Sequence, residues 1–400
     1  MKRIENGSVL SPGGFRAGFA RCGIKGAEGE PDVALIAGDA PAAAAGVFTT
    51  NRFAAAPVQW CRSVLPCDEL RAVVVNSGNA NACTGEQGDK DARATAELAA
   101  SLLDCNAEQV AVCSTGIIGH PLPMDRLAEG VRAAHAALAD GPDAARGAER
   151  AIMTTDTRPK ASAVSGEIEA TTFTVGGMAK GSGMISPHMA TMLAFVTTDV
   201  AAPAAVLGEM LARCADLTFN RITVDGDSST NDTVLLLAGG ASGVTLDDDG
   251  PAADAFEEAL LCVMEDLARQ IVRDGEGATR LIEITVTGAR DEAHAERAAR
   301  AVANSPLVKC AVHGGDPNWG RIVCAAGYSG AELTPQRTRL DLGSTRVFEA
   351  GLPTGADAAD QMAGDEVHIL LDLGVGDAEA TVWTCDLSQR YVEINAQYHT

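Results

Sequence analysis

The sequence predicts a mixed α/β protein built from layers of sheet and helix. Three observations carry that expectation. Short apolar runs of strand character recur along the chain, among them Arg71–Val75, Gln109–Cys113, Thr233–Ala238 and Leu281–Val286. Between them lie stretches of helical period: Asp91–Leu103, Pro123–Ala139, Ala202–Asp216 and Ala252–Val272. Strand, loop and helix follow one another repeatedly, with no low-complexity linker and no internal repeat.

In chain order, Val33–Ala37 and Ala43–Thr49, separated by Gly38-Asp39 and Pro41, read as paired strands. Arg71–Val75 runs into the turn-rich stretch Asn76–Gly85, after which Ala94, Leu98 and Leu102 mark one side of a helix. The strand Gln109–Cys113 ends in Ser114-Thr115-Gly116. Pro123–Ala139 is closed by Asp140-Gly141-Pro142, a helix stop, and Ala144–Met153 is a further helix. A polar stretch, 154–160, precedes a strand at Thr171–Val175. Glycines 176, 177, 181 and 183 surround Lys180, and Pro187 forbids a helix before the apolar strand that follows Thr191. Ala202–Asp216 is a helix, Ile222–Val224 a strand, and Phe256, Leu260, Met264, Leu267 and Ile271 give Ala252–Val272 one apolar face. Glu292–Asn304 is a helix halted by Pro306. Leu307–Val312, His368–Leu373, Ala380–Cys385 and Tyr391–Asn395 read as strands.

Four hundred residues allow two or three packed units, and 46% hydrophobic with 21% charged residues is ordinary for a soluble globular chain. The 31 basic and 54 acidic residues leave a formal charge of −23, a field that repels nucleic acid and anionic membranes, so neither is an expected partner. Eleven cysteines without a C-x-x-C pair read as reduced thiols, and no apolar run reaches the length of a membrane span. With no apolar leader at the N-terminus, the expected compartment is the cytoplasm. No metal is expected. The histidines lack H-x-x-x-H spacing, and the acidic loop Asp225–Asp232 has Thr230 and Leu236 where a calcium loop needs Gly and Glu. That loop is either a weak magnesium site or a hydrogen-bonded turn. Lys180-Gly-Ser-Gly places its lysine before the glycines and so is no phosphate loop.

The junction at Thr191 is where chemistry is expected. A threonine hydroxyl is a weak nucleophile unless a base stands beside it, and cutting the chain before the threonine supplies its own α-amine as that base. Such an amine titrates near pH ~7.7–8.0. The alternative is an ordinary strand residue after a glycine-rich turn. Ser114-Thr115-Gly116 offers a hydroxyl and an unscreened amide to an oxyanion, or else is a plain turn. Glu276, between glycines, is a turn residue or a carboxylate for an amine. Asp316-Pro-Asn-Trp-Gly-Arg321 reads as a loop tied by an ion pair, or as a subunit contact.

Several of these phrases together are more specific than each alone. Lys180–Asp199, Phe219–Thr233, Asn76–Gly85, Ser114–Gly119, Asp316–Arg321 and the ending Asn395-Ala-Gln-Tyr-His-Thr400 resemble the ornithine acetyltransferase family of arginine biosynthesis, from about residue 10 to the last. The resemblance implies a layered α/β sandwich of the autoprocessed N-terminal-nucleophile-like type. It implies self-cleavage between Ala190 and Thr191 into an α chain, 1–190, and a β chain, 191–400. It also implies that Thr191 is the nucleophile, that Thr115 and Gly116 form the oxyanion hole, and that Thr154, Lys180, Thr191, Glu276, Asn395 and Thr400 contact substrate. The implied reaction moves an acetyl group from N2-acetyl-L-ornithine to L-glutamate, without cofactor, in an α2β2 assembly. The bifunctional form of the family adds acetyl-CoA as a second donor, and the residues do not choose between the two. Ser182, Ser186 and His188 stand where the family commonly has Ala, Ala and Asn, and His313-Gly-Gly replaces a more acidic lead into Asp316–Arg321. The rival readings are an autoprocessed aminopeptidase or amidase that passes the acyl group to water, and a non-catalytic acidic binding protein.

Overall fold

The computed structural model describes residues 1–26, 29–186, 192–246 and 250–397. The chain divides into two compact units, one comprising Met1–Asn220 with Ser228–Ile271, the other Arg221–Asp227 with Val272–His399.

In the first unit the strands are β1 (Lys2–Arg3), β2 (Phe15–Ala20), β3 (Val33–Phe48), β4 (Cys67–Asn79), β5 (Val110–Ile117), β6 (Lys160–Ile168), β7 (Thr171–Lys180), β8 (Leu193–Thr198) and β9 (Thr233–Ala238). The helices are α1 (Ala56–Val64), α2 (Gly85–Leu103), α3 (Met124–Ala136), α4 (Pro142–Ala151), α5 (Ala204–Leu217) and α6 (Pro251–Arg273), the last ending at the division between the units. The strands form one sheet in the order β1-β6-β7-β8-β9-β3-β4-β5, with β2 also paired to β3. The pairs β4–β5 and β8–β9 are parallel and the others antiparallel.

Successive strand residues point to opposite faces, and here both faces are buried. Val33, Leu35, Ala37, Ala72 and Val74 pack with Ala96, Ala99 and Ala100 of α2 and Leu127, Val131 and Ala134 of α3. The alternate residues Ala34, Ile36, Val73 and Val75 pack with Cys61 of α1, Ala148 and Ala151 of α4, and Phe195 and Leu235. Burial on both sides is why these strands read as continuous apolar runs. Each buried Val, Leu or Ile stabilises by ~1.5–3 kcal/mol.

The second unit holds β10 (Leu281–Ala289), α7 (Glu292–Ala303), α8 (Pro306–His313), α9 (Trp319–Tyr328), β11 (Arg339–Leu342), β12 (Thr345–Glu349), β13 (Leu352–Pro353), β14 (Glu366–Asp372), β15 (Ala378–Cys385) and α10 (Gln389–Gln397). Its sheet runs β13-β12-β11-β14-β10-β15. Ile282, Ile284 and Val286 alternate inward and meet Ala295, Ala298, Ala299 and Val302 of α7, Val308 and Val312 of α8, and Ile322 of α9. Glu283 and Thr285, on the other face, are only half-buried. This is a sheet covered by helices on one side.

The mixed α/β expectation holds, and four local expectations are corrected. Val33–Ala37 and Ala43–Thr49 are not paired with each other. They are two halves of the single strand β3, whose register against β4 shifts between Ala37 and Ala44. Leu307–Val312 is helix, not strand: Ser305 accepts the Val308 N–H as N-cap, with Pro306 in the first turn. A six-residue run, apolar apart from Lys309, does not distinguish the two by periodicity, and the Ser-Pro start decides for helix. Tyr391–Asn395 lies in α10 rather than a strand. The side chain of Ser388 accepts the Arg390 N–H at its start, and Arg390 pairs with Glu393 one turn on. Ile222–Val224 makes one bridge, Ile222 to Trp383, instead of a strand.

Candidate active site

Thr115 lies near the end of β5, in parallel register with Ser77 of β4, while Gly116 faces Gly78. Gly116 has φ 135°, and a Cβ there would stand 2.3 Å from the Gly78 carbonyl carbon, so only glycine lets the strands approach. Side-chain amides pin the segment on both sides. Ser114 Oγ donates to Asn76 Oδ1 at 2.6 Å, and Asn231 Nδ2 donates to the carbonyls of Ser114 (2.8 Å) and Ala80 (2.6 Å). Thr115 is thus buried on a backbone that has little freedom to move.

Lys180 ends β7 and is 1% exposed. Its ammonium donates to Thr154 Oγ1 at 2.7 Å and to Thr115 Oγ1 at 3.4 Å, and stands 3.8 Å from Asp156 Oδ2. Asp156 is the hub of the cluster. It accepts from Lys160 Nζ (2.7 Å), the Gly181 amide (2.7 Å) and the Thr154 amide (3.0 Å). Burial pushes its carboxyl up, but Lys180, Lys160 and the Gly181 N–H outweigh burial and hold it well below the ordinary carboxylate range. Asp156 therefore stays ionised and orients both lysines. Lys25 also belongs to this neighbourhood. Its ammonium donates to the Pro31 carbonyl at 2.8 Å, and burial lowers it to about 8, with Asp32 opposing and Lys180 adding to the fall.

In the second unit Glu276 is buried, and its Oε2 accepts from Asn395 Nδ2 at 2.7 Å. The same amide reaches the Tyr391 carbonyl one turn back in α10, at 3.1 Å. Asp386 accepts from the Thr279 amide (2.7 Å), Thr279 Oγ1 (2.7 Å) and the Arg280 amide (2.8 Å), and its Oδ2 lies 2.6 Å from His313 Nδ1. Burial raises Asp386, yet those donors together bring its carboxyl below the usual value. Asp316–Asn318 is loop, as expected, while Trp319–Arg321 opens α9, and among the described residues Arg321 makes no ion pair. Asn318 caps α9, Arg321 donates to the Leu307 carbonyl at 2.8 Å, and Trp319 stacks on Phe348 with centroids 5.6 Å apart.

The sequence profile of the ArgJ family matches residues 16–400. The chain belongs to the ArgJ family. It is 53% identical over 399 residues to the arginine biosynthesis bifunctional protein ArgJ of Symbiobacterium thermophilum, covering 98% of this chain and 99% of that one. It is 43% identical to a glutamate N-acetyltransferase of Methanocaldococcus jannaschii, with 100% of both chains covered. Among solved structures it is similar to the arginine biosynthesis bifunctional protein ArgJ of Bacillus halodurans, at 43% identity and a TM-score of 0.50, over 51% of this chain and 98% of that one.

For this ArgJ-family chain, the expected residues Thr115, Thr154 and Lys180 are joined by hydrogen bonds, with Gly116 beside them. Glu276 and Asn395 are joined to each other. Ala190, Thr191 and Thr400 lie outside the described residues. The loop 225–232 is held by its own hydrogen bonds: Asp227 N to Asp225 Oδ1, Asn231 N to Ser229 Oγ, and Thr230 Oγ1 to Asn231 Oδ1. Among the described residues no group of three or more His, Cys, Asp or Glu is placed to hold a metal ion. Sequence reading missed Asp156, Lys160, Lys25 and Asp232. The available signal was charge in short polar stretches between apolar elements, which gave no hint of burial.

Proposed function

We infer that this chain is an acetyltransferase of arginine biosynthesis, moving the acetyl group of N2-acetyl-L-ornithine to L-glutamate through an acetyl-threonine at Thr191. The observation that carries the reading is the hydrogen-bonded set of buried Thr115, buried Lys180 and half-buried Thr154, anchored on Asp156, in a chain 53% identical to an ArgJ protein. Both substrates are amino acids with an α-carboxylate, and Lys180 is the cation for it, with Thr154 as a second donor. The Thr191 hydroxyl attacks the acetyl carbonyl while its α-amine takes the proton. The Thr115 hydroxyl and the Gly116 amide stabilise the oxyanion. The amine proton passes to the leaving nitrogen, ornithine departs, and the glutamate amine collects the acetyl group from the ester. Glu276, held by Asn395, is the carboxylate for an ornithine ammonium, and Thr400 is a further substrate contact.

The same reading has the chain cut itself between Ala190 and Thr191. Two observations support it. The solved Bacillus halodurans chain is matched over 98% of its length by 51% of this one, so it is about half as long. The antiparallel pair β7–β8, with Lys180 opposite Leu193, holds both flanks of the cut in one sheet, so the halves stay together when the link is lost. Assembly of two cut pairs as α2β2, residence in the cytoplasm and the absence of a cofactor complete the proposal, with acetyl-CoA as the second donor to glutamate. Among the described residues no helix is long and apolar enough to cross a membrane.

The test is direct. Fresh protein should give two bands on a denaturing gel with Thr191 at a new N-terminus, native mass spectrometry should weigh an α2β2 particle, and N-acetylornithine plus glutamate should yield ornithine and N-acetylglutamate. Thr191→Ala should leave one band and no transfer. Transfer persisting in that variant would contradict the nucleophile. Replacing N-acetylornithine with acetyl-CoA in the same assay tests the second donor.

A further inference from the structure

The amine that serves acetyl transfer does not exist until the chain is cut, so the cut needs a different group to carry its proton. The acidic side chain nearest in connectivity is Asp232, at the entry to β9. It is fully buried, and its Oδ1 accepts the backbone N–H of Met192 at 2.8 Å. Its own carbonyl accepts from Thr49 N at 3.0 Å, and Thr233 N donates to the Met192 carbonyl at 3.2 Å, so the residue is locked against the start of β8. Met192 directly follows Thr191 in the chain, so the amide that Asp232 holds is one residue from the Ala190–Thr191 link. The second carboxyl oxygen, Oδ2, is buried without a hydrogen-bond partner among the described residues. A buried ionised carboxylate with one oxygen bare would be costly, whereas a protonated one has an O–H to give.

We propose that Asp232 is the proton carrier for self-cleavage at Ala190–Thr191, a role that rests on the cut being real. As the Thr191 Oγ–carbonyl bond forms and the Ala190–Thr191 C–N bond breaks, Asp232 gives its proton to the leaving nitrogen and regains one from the attacking hydroxyl. Water then hydrolyses the ester, freeing the Ala190 carboxylate and restoring the hydroxyl. The environment agrees with this. Burial drives the Asp232 carboxyl well above its ordinary value, against weaker opposition from the Met192 N–H, Lys180 and Ser229. Lys180 is the charge that bears on it, since β8, β9, residues 43–48 of β3 and residues 228–231 bring no titratable side chain.

Asp232→Asn keeps the size and the acceptor for Met192 N–H but carries no titrating proton. Cleavage of full-length wild type, Asp232→Asn, Asp232→Glu and Thr191→Ala would be followed on denaturing gels from pH 5.5 to 9, with near-ultraviolet circular dichroism to check the fold. The expected result is a wild-type rate that falls as pH rises, and Asp232→Asn cut at least about 100-fold more slowly with a flat profile. Asp232→Glu should recover part of the rate and the slope. Asp232→Asn cut at the wild-type rate, or slowed but with the wild-type pH slope, would overturn the proposal and leave the acetyltransferase reading standing. A flat wild-type profile would overturn it even if the variants failed to fold. A wild type that is never cut would overturn the reading beneath it as well.

Discussion

The polar centres of the two units are built on opposite physical terms. In the first, Asp156, Lys160 and Lys180 have side chains no more than 2% exposed, and each charge is held by the others or by backbone amides and hydroxyls. In the second, Asp386 is equally buried, but its partner His313 is 40% exposed, and Asn395, which holds Glu276, is exposed. A dry network fixes geometry because removing one member strands another charge away from water. A network that ends in solvent can exchange a lost partner for water, so it orients groups without committing the fold to them. The first arrangement suits a site whose atoms must not move, and the second suits a contact that adapts to its ligand.

The most severe way to break this contrast is Asp156→Asn. It leaves Lys160 and Lys180 buried without their shared carboxylate, and stability should fall by about 3–5 kcal/mol in urea titrations. A loss no larger than that of the second-unit variants would erase the distinction. Lys180→Met should be milder for the fold, because Lys160 still pairs with Asp156 at 2.7 Å. It should nevertheless raise KM for both amino-acid substrates by at least about 30-fold, the low end for losing a buried charged partner. Steady-state kinetics together with a melting curve separate the two effects.

Asp386→Asn should cost about 1.5–3 kcal/mol, the range for hydrogen bonds to a charged group. Its sign with pH follows from the depressed carboxyl. The wild-type advantage is complete above the unfolded value of ~3.9 and disappears as pH falls through the lower folded value. Urea midpoints of wild type and variant should therefore be well apart at pH 7 and converge toward pH 3, while a gap that persists in acid would contradict the ionic origin. Smallest in stability should be Glu276→Gln, no more than about 1 kcal/mol because the partner amide faces solvent. Its effect should instead be a raised KM for N-acetylornithine with kcat little changed, and a matching fall in kcat would place Glu276 in the chemistry rather than in binding.

Much of the fold was legible because its strongest signals are local. The alternation of Val73 and Val75 with Ala72 and Val74, and the spacing of Phe256, Leu260, Met264 and Leu267, identify a strand and a helix without any knowledge of their neighbours. Local ambiguity explains the errors. Leu307–Val312 is too short for its period to choose, and Tyr391, Val392 and Ile394 favour a strand by type although they form a helix with no buried residue. The length of β3 was hidden by Gly38 and Pro41, which look like turn residues but lie where its partner changes from β2 to β9 and its register against β4 shifts.

The candidate site divides along the same line. Thr115, Gly116, Thr154, Lys180, Glu276 and Asn395 could be named from the wording around them, because a family resemblance is carried by residue identity and order. Asp156 as the hub of two lysines, Lys25 beside them, and Asp232 with one bare oxygen could not be read. Each depends on chain segments far apart in sequence converging, and on water being excluded where they meet. Identity and spacing along the chain determined which groups this protein has to work with. Only tertiary packing decided which of those groups are dry, since burial is a property of all the neighbours at once, and burial decides whether a carboxyl is a fixed charge or a carrier of protons.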